Sequence, residues 1–158
     1  MMTTANVNRE GGFTLLELMI VTVIVAVLAT IAYPSFIEQI RKGRRSDAIT
    51  ALNQIQQAQE RWRANCPCYA GSITAANAGC PATACATTSG LGLASTSANG
   101  YYNLTISGVS ATGYTLTATA TGAQAADTRC ASMSVALAGA DLTYTASPAS
   151  NANACWNR

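Results

Sequence analysis

Two groups of residues in this chain are spaced to do chemistry. The first is Gly11-Gly12-Phe13-Thr14-Leu15-Leu16-Glu17, which opens an apolar run covering residues 13–33. Glu17 is the anomaly in that run. A carboxylate well inside an apolar helix costs about 2.5–3.5 kcal/mol on membrane-insertion scales, so it reads as functional by default. Cleavage of the Gly12–Phe13 bond would create a positive amine at Phe13, one helical turn from Glu17. In a stack of parallel helices offset along an axis, Glu17 of one copy then faces the Phe13 amine of the next. Two buried charges neutralise each other there, and such a pair specifies register more than it stabilises.

The second group is six cysteines: Cys66, Cys68, Cys80, Cys85, Cys130 and Cys155. In an exported domain they imply up to three disulfides. Cys66 and Cys68 are too close in sequence to pair comfortably with each other. Each is expected to pair with Cys80 or Cys85, in an order the sequence leaves open. Four thiolates also suggest a metal site. The C-x-C spacing departs from the C-x2-C zinc pattern, however, and an oxidising compartment disfavours it. No metal and no cofactor are expected.

Catalysis is not expected either. The chain has no histidine, which removes the commonest general base and the commonest metal ligand. Beyond residue 64 the only acids are Asp127 and Asp141, isolated from one another in sequence.

The elements that hold these residues follow from patterning. The run 13–33 is long enough for a helix to cross a bilayer core, which takes about 20 residues. A secretory signal puts its small residues after the apolar core; here Gly11 and Gly12 precede it, so a cut would remove the polar leader and keep the helix. Pro34 ends the run and is expected to kink or loosen the helix. Residues 34–65 read as an amphipathic helix. Ile49, Leu52, Ile55, Ala58 and Trp62 form one stripe, and Asp47, Gln54, Gln57 and Arg61 lie opposite. Residues 66–100, rich in Gly, Ala, Ser and Thr, read as a cysteine-bearing loop that includes at most a short helical turn. Strands are expected at 102–106, 114–121, 132–137 and 142–145, separated by Gly108, Gly113, Gly122 and Gly139. Short connections imply an antiparallel meander with one face on the helix.

Charge is sparse, at 10% of residues and a net +2. Arg41, Lys42, Arg44 and Arg45 form the only cluster, read as a solvated shoulder of the helix. The rest is a nearly uncharged surface of small polar residues.

The segment Gly12-Phe13-Thr14-Leu15-Leu16-Glu17-Leu18 resembles the class III signal of type IV prepilins. The resemblance implies cleavage after Gly12, N-methylation of Phe13, an assembly role for Glu17, and Pro34 at the family's mid-helix proline. It implies an α+β fold, the type IV pilin fold: a long N-terminal helix packed on a four-stranded antiparallel sheet with a disulfide-closed C-terminal loop. The chain then divides into a leader (1–12), a transmembrane or filament-core helix (13–33), the amphipathic helix of the body (34–65), the cysteine-bearing loop (66–100), and the sheet with its terminal loop (101–158). Gln124, Asp127, Cys130 and Cys155-Trp156 are similar to the PilE-like branch of minor pilins. There a pair in these positions closes the last loop, which assigns Cys130 to Cys155.

The implied partners are other pilin subunits, the inner membrane before assembly, and the prepilin peptidase. The implied location is a single-pass inner-membrane precursor and then an extracellular pilus serving motility, adhesion or DNA uptake. DNA itself is the weaker partner, because the basic cluster lies low on the helix where a filament would partly cover it. A major pilin, a type II secretion pseudopilin, and a pilus-borne receptor for DNA or a surface are the alternatives.

Overall fold

The structure is a computed structural model that describes residues 12–77, 79–80 and 90–156. The leader up to Gly11, and Cys85, lie outside the described residues. The chain forms two compact units, Met1–Gln39 and Ile40–Arg158.

Within the first unit the described chain is helical from Leu15, the start of helix α1 (Leu15–Arg63). Pro34 lies inside α1, whose helical assignment continues through it. A proline deletes one N–H from the ladder, and hydrogen-bonded turns on both sides carry the helix past that loss. Thr22 and Thr30 donate their hydroxyls to the carbonyls of Met19 and Val27, at 2.9 and 2.7 Å. These back-bonds satisfy both threonine hydroxyls of the apolar run C-terminal to Glu17 without calling on water.

The second unit is built on a four-stranded antiparallel sheet in the order β1-β2-β3-β4, with β1 at Tyr102–Ser107, β2 at Gly113–Ala120, β3 at Ser132–Ala138 and β4 at Asp141–Ser147. Neighbours in sequence are neighbours in the sheet, the meander expected from short connections. Tyr102 and Leu104, Tyr114, Leu116 and Ala118, and Met133 and Val135 are buried against Ala48, Ala51, Leu52 and Ile55 of α1. Alternation with period two makes this possible, since each strand gives every second residue to the helix. The opposite face is a hydroxyl lattice. Thr105, Thr117, Ser134 and Thr145 form one continuous cross-strand ladder, and Thr117 and Ser134 are hydrogen-bonded at 3.0 Å. An uncharged hydroxyl face is soluble without asking for a polyanionic or cationic partner.

Glycine is required at Gly113, where a Cβ would collide with the carbonyl oxygen of Leu137 on β3. Gly139 supplies the positive φ of 64° that the β3–β4 turn needs. A 3-10 turn at Gly122–Ala126 and a short helix, α2 (Ala152–Trp156), were not legible from periodicity. Both are too short to show a repeat.

Disulfides tie the loops down. Cys130 and Cys155 are joined and both fully buried. Closing a loop of this length is worth roughly 3 kcal/mol on chain-entropy reasoning. Cys66 pairs with Cys80, so those two thiolates are not available to a metal; Cys68 is also disulfide-bonded. Residues between the helix and β1 are irregular, as expected, but where described they form two isolated bridges, Ser72↔Gly90 and Thr96↔Asn103, and no helical turn. Trp156 packs edge-on against Tyr144 at 4.9 Å and donates its indole N–H to the carbonyl of Thr145. That bond caps part of the outer edge of β4.

Candidate functional site

The N-terminal motif has a definite local structure. Thr14 precedes the first helical residue, and its Oγ1 accepts the backbone N–H of Glu17 at 3.2 Å. Thr14-x-x-Glu17 is the pattern of a capping box. Glu17 also sits in the first turn, where the helix dipole favours an acid. Gly12 has open space around it, with nothing within 4 Å of where a Cβ would be. Packing within the chain therefore does not demand glycine there. From Phe13 to Phe36 the large apolar side chains are exposed, from 50% at Val21 to 85% at Phe13. An 18-residue window of this helix has a mean hydropathy of 2.7. A surface of that size is covered in use, by lipid or by other helices.

In the second unit the basic cluster is not a uniform solvated shoulder. Arg45 is buried, 3% exposed. Its guanidinium donates from Nε to Asp127 Oδ2 at 2.7 Å and from Nη2 to Oδ1 at 2.8 Å. Gln124 completes the knot: its Nε2 donates to Asp127 Oδ2, to the Tyr102 hydroxyl and to the carbonyl of Arg41. Burial alone would push the Asp127 carboxyl up. The Arg45 hydrogen bond and charge, with backbone N–H groups of Cys130 and Arg129, outweigh burial and hold it below the usual carboxylate range. Burial is likewise the main reason the Tyr102 hydroxyl lies above its ordinary value. The same cause, helped by the Glu60 charge, pushes Tyr114 up to about 12.

This corrects one expectation: Arg45, read as part of a solvated shoulder, faces inward, and its partner is Asp127. The signal was present: Arg45, Ala48, Leu52, Ile55, Gln59 and Trp62 continue one helical stripe, all buried, so periodicity extends it through the polar residues at both ends. Gln59 shows the same logic, since its amide gives Nε2–H to the carbonyl of Ala70 and takes the N–H of Ala70, each at 2.8 Å. It substitutes for a strand partner and pins the start of the cysteine-bearing loop.

Asp47, expected on the solvent side, is also buried at 9% exposure. Its Oδ1 accepts Nδ2 of Asn99 at 3.0 Å, and its Oδ2 accepts no hydrogen bond. Beside it the guanidinium of Arg44 stacks 4.6 Å over the Tyr101 ring. Lys42 is exposed and Arg41 half-buried. Of the four basic residues, three remain near the surface and one is structural.

Comparison with known proteins gives two family matches. The family described as "Type IV minor pilin ComP, DNA uptake sequence receptor" matches residues 34–134. The one described as "Prokaryotic N-terminal methylation motif" matches residues 7–33. Among curated proteins, a fimbrial protein of Moraxella nonliquefaciens is 39% identical over 71 residues, 44% of this chain and 46% of that protein. The type IV major pilin protein PilA of Myxococcus xanthus (strain DK1622) is 46% identical over 52 residues, 33% of this chain and 24% of that protein. The chain thus spans about half the length of the first relative and about a quarter of the second.

Proposed function

The chain belongs to the type IV minor pilin family of the ComP kind, and from that membership we propose that it is a minor subunit of a type IV pilus, held first in the inner membrane and then assembled into the extracellular filament. One observation carries the reading. An exposed apolar helix begins at a Thr14 cap directly after Gly12-Phe13, with open space beside Gly12 and a single acid, Glu17, in its first turn. In this reading the prepilin peptidase cuts after Gly12, Phe13 becomes the methylated N-terminus, and Glu17 sets register against the Phe13 amine of a neighbour. The body is a structural and recognition unit rather than an enzyme. Intact-mass and peptide mass spectrometry on sheared pili tests this. A trace of chain beginning at methylated Phe13 is the expected result. An abundant one would make it the major subunit. A processed chain confined to membranes would move it to the pseudopilins of type II secretion.

We also propose DNA as the partner of the assembled subunit, in keeping with the family's description as a DNA uptake sequence receptor. The supporting observation is the turn that carries the exposed Lys42 between half-buried Arg41 and Arg44, with Tyr101 under Arg44. Phosphate contacts of this type release counterions, so affinity falls with salt. The Lys42→Ala variant is expected to weaken binding uniformly across sequences and to reduce the slope of log K against log salt by about 1. An unchanged slope would remove this turn from the interface.

A further inference from the structure

One buried carboxylate oxygen in the body has no partner, and it belongs to a side chain that lines a cleft. Residues of α1 from Ile40 to Thr50 and residues 98–101 before β1 border an open cleft of about 530 Å³. Asp47 lines this space and is nine-tenths buried, with Oδ2 unsatisfied. An orphaned acceptor of this kind costs stability unless something fills it. The acceptor is also easily completed. Asn99, which covers Oδ1, is exposed, so turning it aside gives up one part-buried hydrogen bond and leaves both carboxylate oxygens without a donor.

Gly43 adds a second, independent sign. It lies one turn before Asp47, and helical side chains lean back over the preceding turn. A glycine inside a helix costs about 1 kcal/mol against alanine, yet a Cβ here would meet nothing within 4 Å. Packing within the chain does not explain the glycine. It keeps the cleft open beside the carboxylate.

The chemistry of the walls selects the ligand. Arg44, together with the exposed Lys42 next to it in sequence, attracts an anion and opposes a simple cation at Asp47. Tyr101, already stacked with Arg44, offers a platform for a planar ring. The carboxylate wants two adjacent N–H donors. A nucleotide has an anionic phosphate and a planar ring, and among the four DNA bases only guanine presents two donors side by side, N1–H and N2–H. Adenine and cytosine each place an acceptor beside their amino group, which would face a carboxylate oxygen. Thymine flanks its single N–H with two carbonyls. That guanine edge is covered in a duplex, so the base must be unstacked or single-stranded to reach the site.

We propose that this cleft binds one unstacked guanine of DNA. Asp47 accepts N1–H and N2–H in place of Asn99, the ring lies against Tyr101 and Arg44, and Lys42 and Arg44 hold the phosphate. The proposal rests on the DNA reading above and adds a base and a site to it.

The test uses the full-length chain in detergent and fluorescence anisotropy with short labelled oligo-dT strands. One carries a central dG, one carries deoxyinosine at that place, and one is all dT. Inosine lacks only the N2 amine. The dG strand is expected to bind about tenfold tighter than the inosine strand, the discrimination typical of a good bidentate base contact. Asp47→Asn and, separately, Gly43→Leu, which fills the cleft beside the carboxylate and leaves its charge in place, are each expected to erase that difference. Equal binding of the dG and inosine strands, or a preference that survives both variants, overturns the proposal. Duplex binding without a dG preference would do so while leaving the DNA reading standing. No binding to any strand or duplex removes both.

Discussion

Replacing Asp127 by alanine is expected to destabilise the body by about 3–5 kcal/mol, the usual cost of leaving one partner of a buried ion pair uncompensated. Arg45 cannot shed its charge, and at 3% exposure it cannot reach water without moving the helix. Two hydrogen bonds, at 2.7 and 2.8 Å, vanish with the carboxylate. The Gln124 amide also loses one of its three acceptors. The loss is large because the pair joins α1 to the turn that precedes Cys130, 82 residues later. Urea unfolding of the full chain in detergent measures it. Double replacement, Arg45→Met with Asp127→Leu, is expected to recover most of the loss, since both charges leave together. A single variant within about 0.5 kcal/mol of the parent, the range of an ordinary surface change, would sink the argument.

The same pair fixes an acid limit. The folded-state carboxyl of Asp127 lies below its ordinary value. The unfolded chain therefore takes up this proton first as pH falls. The contribution is fully present above the ordinary carboxylate range and is lost as pH drops through the folded value. Stability is expected to be flat with respect to this group above about pH 5 and to fall below about pH 4, with the slope absent in the double replacement.

Glu17→Ala is expected to leave leader cleavage intact and to reduce incorporation into pili by at least about tenfold. In the assembled helix bundle the Phe13 amine would be left as an uncompensated buried charge, at a cost of several kcal/mol. The local structure isolates this effect. The Thr14 hydroxyl caps the helix through the backbone N–H of residue 17, and alanine keeps that N–H. Helix initiation and presentation of Gly12–Phe13 to the peptidase are therefore retained. Glu17→Gln is the control, matching shape without charge, and is expected to fail in the same way. Mass spectrometry of the N-terminus reads cleavage, and immunoblots of sheared pili against membranes read incorporation. Normal incorporation of either variant would end the charge-register proposal.

Much of this molecule was legible because its signals are local. The N-terminal motif needs only seven consecutive residues. The four strands follow from alternation within segments such as Tyr114-Thr115-Leu116-Thr117-Ala118, and their meander follows from short connections. The stripe through Leu52, Ile55 and Trp62 located the buried face of α1. What failed was treating polarity as a proxy for exposure. Arg45 and Asp47 lie at or beside that stripe, and each was buried because a partner distant in sequence was waiting for it.

The sequence by itself determined the apolar helix with its one acid, the glycine pair that precedes it, the count of cysteines and the period of each strand. These depend on residue type at short spacing, which the chain cannot rearrange. Tertiary structure decided that Cys66 meets Cys80, that Asp127 meets Arg45, and that Asp47 shares a cleft with Asn99 and Tyr101. Those meetings depend on how the sheet and the loop before it close over α1, and the free energy that sets this comes from burial over the whole body. No short stretch of residues contains it.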